Sequence, residues 1–315
     1  MSDKKIVTVF GATGAAGGSV ARYFLKDGTF AVRAVTRNTS SAAAKALKAQ
    51  GAEIVEADLS KPQTIPATLV GAYGVSANTD FWALLPHYGQ DAAKTQAAEE
   101  AQGVALVDAA KAAGVKHFVW FTLPHANPVI PHFESKYQVE LHLKASGVPY
   151  TTFYNAFYYE NLVNEGFGMI KRLADGTLSL EIPTPADVHI PVYSVGQTGG
   201  WILSILKNPS EYIGKHVDAV VELITTKRIA AILSKTLHVT LKAKDVSKEE
   251  FEAMGTAGDL VAQEVFLIYP WFMKYAQPSN SVFDQAASRK VFPDASTFEE
   301  FVQSNDEFRK AIAKI

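Results

Sequence analysis

The chain has 315 residues, 48% of them hydrophobic and 20% charged, a balance typical of globular proteins and a length that fits one large α/β domain with additions. A formal net charge of −2 gives no global electrostatic attraction to nucleic acid or an anionic membrane. The absence of cysteine excludes disulfides, thiolate metal sites and cysteine nucleophiles. No run approaches the roughly 18 uninterrupted apolar residues of a membrane span. Met1-Ser2-Asp3-Lys4-Lys5 leads into a strand without the apolar core of a signal peptide. A soluble, cytoplasmic protein is the expectation.

In chain order, Ile6–Phe10 predicts a first strand, and Gly17–Lys26 a helix with Val20, Ala21, Phe24 and Leu25 on one side. Phe30–Thr36 predicts the second strand, Ser41–Gln50 a helix, Glu53–Ala57 the third strand and Pro62–Leu69 a short helix with proline at its start. Ala72–Ala77, Val115–Thr122 and Pro149–Tyr154 predict the fourth to sixth strands, with helices at Asp91–Ala113 and Phe133–Ala145 between them. This alternation implies a Rossmann-type α/β fold, a doubly wound parallel sheet whose strands are buried on both faces. We place that domain at residues 1–155. Residues 156–315 form a smaller C-terminal α/β lobe for substrate or partner, with the chain crossing back to the sheet. After Asn155 the rhythm loosens into a segment rich in glycine and proline. Val217–Ile224 then predicts a strand, Thr225 a cap for a helix reaching Lys235, and His238–Ala243 another strand. Residues 256–275 predict a helix. Ser296-Thr-Phe-Glu299 has the spacing of a capping box opening one final amphipathic helix.

Gly11-Ala-Thr-Gly14-Ala-Ala-Gly17 lies between a strand and a helix, the context that gives Gly-x-x-Gly-x-x-Gly its meaning. Gly11 permits a tight turn, Gly14 lets the backbone approach a pyrophosphate, and Gly17 lets the helix pack on the sheet. Thr13, Ala15 and Ala16 complete a loop whose N–H groups and helix dipole suit phosphate. The alternative is a turn whose glycines only satisfy backbone geometry. An acidic residue at the end of the second strand would select NAD. Arg37 stands there, followed by Thr39, Ser40 and Ser41, which suits the 2′-phosphate of NADP(H). A solvent-exposed arginine is the alternative. Asp58, after the third strand, is placed either to touch adenine or to cap a helix.

Gly11-Ala-Thr-Gly-Ala-Ala-Gly-Gly-Ser-Val20, Arg33-Ala-Val-Thr-Arg37, Gly71-Ala-Tyr-Gly-Val75, Phe81-Trp82, Ala113-Gly-Val-Lys-His-Phe118 and His132-Phe-Glu-Ser-Lys136 together resemble the NmrA-like family of atypical short-chain dehydrogenases. The resemblance is strongest from residue 6 to about 162. It implies a Rossmann fold, an NADP(H) cofactor and one of two roles: reduction of small organic molecules, or redox sensing through a protein partner. The chain departs from the family at Pro191-Val-Tyr-Ser194, where aspartate is more usual, and at Tyr154-Asn-Ala-Phe157, which lacks the common proline-glycine.

Ligands of such sheets bind at the carboxyl ends of the strands. Asn78 and Thr79, Thr122, and Tyr154, Asn155 and Phe157 are therefore expected at the nicotinamide end, with Phe81, Trp82, His125, Tyr158 and Tyr159 on the substrate side and His189 able to join them. Aromatics of this kind are more often core. Conventional short-chain dehydrogenases carry Tyr-x-x-x-Lys. Here Lys136 is present, but His132 occupies the tyrosine position. Lys136 is expected to contact the cofactor ribose, or else to be a surface lysine. His132 is either a proton donor or a helix-start residue. No spacing argues for a metal. The expected function is NADP(H)-dependent reduction of a small hydrophobic or aromatic carbonyl or secondary-metabolite compound. A cofactor-sensing regulator and a cofactor-assisted isomerase are the alternatives.

Overall fold

The computed structural model describes residues 4–256 and 260–315. The chain opens as β1 (Ile6–Val9), α1 (Ala15–Asp27), β2 (Ala31–Thr36), α2 (Ala42–Ala49), β3 (Glu53–Glu56), α3 (Ile65–Leu69) and β4 (Ala72–Ala77). It continues through α4 (Phe81–Leu84), α5 (Ala92–Ala112), β5 (His117–Thr122), α6 (Pro131–Ser146) and β6 (Tyr150–Asn155). Then come β7 (Phe157–Tyr158), β8 (Ile170–Arg172), β9 (Leu178–Leu180), β10 (His189–Tyr193), α7 (Thr198–Lys207), α8 (Pro209–Tyr212) and β11 (His216–Ala219). The last elements are β12 (Glu222–Thr225), α9 (Thr226–Leu237), β13 (Leu241–Ala243), α10 (Lys248–Gly255), α11 (Leu260–Tyr275), α12 (Gln285–Val291), α13 (Phe298–Ser304) and α14 (Asp306–Lys314). No helix among the described residues is long and apolar enough to cross a membrane.

The residues fall into two compact units. One runs to Asn155 and includes Gly196–Val217; the other takes Ala156–Val195 and Asp218–Ile315. The first is built on a seven-stranded sheet in the order β11-β6-β5-β4-β1-β2-β3. β1 pairs parallel with both β2 and β4, so the strand order reverses there and a crevice opens at the carboxyl ends of β1 and β4. Strands buried on both faces need continuous apolar sequence, and every residue of β5 is buried. The core on one side joins Phe10, Val35, Ile65, Val75, Leu106, Phe118, Trp120, Val139 and Leu143.

Glycine sets how closely the helices of this unit approach. A Cβ on Gly103 of α5 would lie 2.5 Å from Val139 Cγ2 of α6. One on Gly199 of α7 would lie 2.6 Å from the carbonyl oxygen of Ser19 in α1. The Ser19 hydroxyl ties the same pair, donating to Gly196 O at 2.6 Å and accepting from Gly199 N–H at 3.0 Å.

The second unit holds two three-stranded sheets, β12-β10-β7 and β13-β9-β8, with the C-terminal helices. Several sequence expectations change here. Val217–Ile224 is not one strand: β11 belongs to the large sheet and β12 pairs antiparallel with β10, with Val220 and Val221 between them. The stretch Val-Asp-Ala-Val-Val-Glu-Leu-Ile carries no glycine or proline to mark the point where the chain leaves one sheet for another. The terminal helix is two helices. Asn305 breaks it, accepting from Phe308 N–H to start α14. The capping box is Thr297 with Glu300, one residue later than expected. Both frames offer a hydroxyl three residues before a glutamate, and Glu299 is drawn off to Lys235 at 2.8 Å. Thr225 caps α9 as its position predicts. The segment Pro62–Thr64 is a 3-10 turn ahead of α3, and β13 is shorter than the predicted strand because His238 ends α9 at φ 54°. Of the helix expected at 256–275, residues 257–259 lie outside the described residues and α11 accounts for the rest from Leu260.

His117, wholly buried at the start of β5, carries a pH dependence. Its Nε2 lies 2.7 Å from Thr151 Oγ1, whose proton goes to Tyr212 O at 2.7 Å, so Nε2 is the donor. Nδ1 has no hydrogen-bond partner. Burial holds the imidazole pKa down at about 4, against 6.5 for a free histidine. The unfolded chain therefore binds the extra proton first. Stability from the neutral ring is complete above the unfolded value and is lost as pH falls from 6.5 toward 4. The loss amounts to roughly 3 kcal/mol, at about 1.4 kcal/mol per pKa unit. Urea unfolding across this range is expected to show that fall, and His117→Gln to flatten it. An unchanged slope in the variant contradicts the assignment.

Candidate functional site

The site begins where β1 runs out. Gly11 turns the chain at φ +65°, a left-handed conformation that glycine adopts without strain. Gly14 is the N-cap of α1, and no side chain caps the first turn. Gly11, Thr13, Gly14 and Ala15 are exposed while Phe10, Ala12, Ala16 and Gly17 are buried, so the loop presents an open face above a fixed base. A Cβ on Gly17 would collide with the carbonyl group of Gly11 and sit 2.7 Å from Phe10 O, both of them backbone. Glycine is therefore required at 17 for α1 to lie against the loop. Free first-turn N–H groups on an uncapped helix fit a phosphate without rearrangement.

Two arginines, one within β2 and one just past its end, have different surroundings. Arg33 is buried and engaged, donating to Glu53 Oε2 at 2.8 Å, Val70 O at 2.7 Å and Thr68 O at 3.0 Å. Arg37 is exposed and makes no hydrogen bond or ion pair with the described residues. Behind it, Asn38 Oδ1 accepts from Ser40 N–H and Oγ–H, and Ser41 caps α2. Thr13 and Thr36 hydroxyls stand 3.3 Å apart, joining the glycine loop to the end of β2. Asp58 is half-buried, and its Oδ1 accepts from Ser60 N–H, building the turn after β3.

Beyond β4, Asn78 has no hydrogen-bonded side-chain partner among the described residues, and Asp80 caps α4. Thr79 is buried, bonded to Lys136. The Lys136 ammonium donates to Glu99 Oε1 at 2.7 Å, Thr79 O at 2.8 Å and Thr79 Oγ1 at 3.0 Å. Lys136 is 8% exposed and Glu99 0%, so this is a buried ion pair between α5 and α6. The other Glu99 oxygen accepts a short bond from Ser135. Thr122 is fully buried and, with Trp120, donates to the Lys136 carbonyl, fixing α6 on β5.

His132 is buried in the first turn of α6, its ring 5.1 Å from that of Trp82, 5.9 Å from Phe81 and 4.7 Å from Phe133. His125, in the loop after β5, is half exposed and puts Nδ1 2.8 Å from Glu134 Oε2. Glu134 is buried, and its second oxygen accepts from Gln138 at 2.6 Å. An ionised carboxylate only accepts, so Nδ1 carries the proton and Nε2 is the ring nitrogen left open. Tyr154 and Asn155 close β6, the Tyr154 ring standing edge-on to His216 at 3.9 Å.

In the second unit, Phe157 and Tyr158 are half-buried on β7, and Tyr158 packs on Tyr193. Tyr159 is taken into that unit's core, against Phe298 and Phe301, with its hydroxyl directed to Glu222 and Ser296 O. It is 1% exposed, so it packs as a core residue of that unit, and burial pushes its pKa far up. His189 bonds Gln277 at 3.2 Å. At the departure from the family pattern, Ser194 donates to Glu160 at 2.6 Å and Val195 N–H to the same carboxylate at 2.9 Å.

Sequence reasoning did not single out Glu99 or Glu134. The signal for Glu99 was present: it shares the buried face of α5 with Thr95, Gln102, Gly103 and Leu106, where a glutamate needs a partner.

The sheet order and the uncapped glycine loop define a Rossmann-type nucleotide-binding fold. The chain belongs to the NmrA-like family, whose model matches residues 3–302. It is 30% identical over 310 residues to the NmrA-like family domain-containing oxidoreductase FrzB of Cladobotryum, covering 90% of each chain. The fold is also similar to that of NmrA, a negative transcriptional regulator solved with NADP. There the TM-score is 0.78 at 20% identity, over 100% of this chain and 99% of that one. Against the Citrobacter triphenylmethane reductase solved with NADP(H), the TM-score is 0.71 at 21% identity, over 95% and 99%.

Two stability outcomes follow. Gly17→Ala is expected to cost about 3 kcal/mol or more, because a methyl group meets immovable backbone. Glu99→Leu is expected to cost about 3–5 kcal/mol, since it strands the buried ammonium, and Lys136→Met in the same chain to recover most of that. Urea denaturation checks both. A Gly17→Ala protein of native stability, or a Glu99→Leu variant no worse than the double variant, contradicts the packing described.

Proposed function

We propose that the protein is a cytoplasmic NADP(H)-dependent oxidoreductase acting on a small hydrophobic or aromatic carbonyl, quinone or related secondary-metabolite compound. The observation that carries the reading is the pairing of an open, uncapped glycine loop with the unengaged Arg37 at the end of the adjacent strand. The loop suits a pyrophosphate and the guanidinium a 2′-phosphate. The oxidoreductase names of relatives about 30% identical support the redox assignment, and the NADP held by proteins of the same fold supports the cofactor.

The reduced nicotinamide supplies the hydride when bound. The chain's part is orientation and proton handling. We assign the proton to His125, whose imidazole is held by buried Glu134 with its second nitrogen on the open side. His132 sits behind the rings of Phe81 and Trp82 and is assigned to positioning α4. Asn78 lines the nicotinamide end with an unengaged amide. The regulatory reading draws on one observation, the lack of a tyrosine four residues before Lys136.

Purified protein with NADPH and a panel of aromatic ketones, enals and quinones is expected to consume NADPH with at least one of them. His125→Gln should then lower turnover by about 10²–10⁴-fold while leaving NADPH affinity intact. Binding of NADPH without consumption across the panel favours the sensor. Calorimetry should give tighter binding of NADP(H) than NAD(H), and Arg37→Glu should remove most of that preference. Equal affinities in the unmodified protein overturn the cofactor assignment.

A further inference from the structure

An ammonium has three N–H donors and no acceptor. Those of Lys136 all have acceptors inside the protein: Glu99 Oε1, Thr79 O and Thr79 Oγ1, at 2.7, 2.8 and 3.0 Å. The lysine has no donor left over for a ligand. To free one, it would have to leave Glu99, a carboxylate without solvent contact, short of its counter-charge. Glu99 is itself held in place, since its second oxygen accepts from Ser135. The backbone of Lys136 is held too, by Trp120 and Thr122.

The chain of bonds has one open end. The Thr79 hydroxyl must accept from the ammonium, so its own proton is directed elsewhere. No acceptor for it exists among the described residues. Thr79 is 4% exposed and follows β4, one of the two strands that flank the point where the sheet order reverses. A hydroxyl that accepts from a cation is polarised into a stronger donor.

We propose that Lys136 acts on the dinucleotide through Thr79. The Thr79 hydroxyl donates to an oxygen of the nicotinamide-riboside half, Lys136 polarises and aims it, and Glu99 is the positioning residue that holds the lysine. The inference rests on the reading that the chain binds NADP(H). It explains how a family-like lysine serves the site without the tyrosine that conventional enzymes place four residues earlier. The protein carries a threonine from a different strand end in the role of the hydroxyl beside the lysine.

Calorimetric binding of two ligands tests it without any turnover: NADPH, and 2′,5′-ADP, which has the 2′-phosphate and adenine but no nicotinamide. Thr79→Val is expected to weaken NADPH by roughly tenfold and to leave 2′,5′-ADP within about twofold. Thr79→Ser should restore NADPH affinity. Glu99→Gln should weaken NADPH with 2′,5′-ADP again spared. If Glu99→Gln does not fold, as judged by its melting curve, the Thr79 pair decides alone. Unchanged NADPH affinity in Thr79→Val, or equal losses for both ligands, overturns the inference and leaves the cofactor assignment standing. An unmodified protein that binds neither ligand overturns both.

Discussion

Helix α1 can point its first turn at a ligand only because no side chain stands between Gly17 and the carbonyl oxygens of Phe10 and Gly11. From that contact the rest of the candidate site takes its geometry. α1 lies on the sheet at β1, where the strand order turns back on itself, and the loop in front of it opens into the crevice. α7, reached only after the chain has built part of the second unit, packs on α1 through Gly199 and Ser19. The helix that opens the candidate site is thus held at Gly17 and Gly199 by contacts that leave no room for an added carbon.

The basic residues of the first unit are sorted by burial. Arg33 and Lys136 are buried and each donates to a carboxylate and to carbonyl oxygens, Glu53 exposed in the first case and Glu99 buried in the second, and they hold structure together. Arg37 is exposed and has no such partner among the described residues. A buried ion pair is poor evidence of stabilisation but strong evidence of fixed position, because displacing either partner leaves a charge without solvent or counter-ion. Glu99 and Lys136 therefore fix α5, α6 and the end of β4 to one another at the place where a nicotinamide is expected. The His125–Glu134 pair repeats the arrangement nearer the surface, with the carboxylate buried and the imidazole half open.

Local rules made the first unit legible in the sequence. Parallel strands read as continuous apolar runs, Gly11 takes a left-handed turn that glycine adopts without strain, and at Gly17 the backbone of the loop leaves no room for a Cβ. Thr225 caps its helix where its position says it should. What the sequence did not reveal depends on partners distant in the chain. Glu99 meets Lys136 across 37 residues, and neither the spacing nor the composition of α5 names the partner. Val217–Ile224 is β-rich with no glycine or proline inside it, so the change of sheet at Val220 and Val221 carries no local turn signal. Tyr159 could be read from the sequence as substrate side or as core, and Phe298 and Phe301, some 140 residues away, are the rings it packs on. Ser296 and Thr297 offered equivalent capping frames, and Lys235 decided between them by drawing off Glu299.

The most direct test of the account is a crystal structure of the protein with NADPH. It should show the pyrophosphate against the first-turn N–H groups of α1 and the 2′-phosphate on the Arg37 guanidinium. The Thr79 hydroxyl should lie within hydrogen-bond distance of the nicotinamide half, with Lys136 still bonded to Glu99. A dinucleotide bound away from the glycine loop, or a 2′-phosphate turned from Arg37, would contradict it.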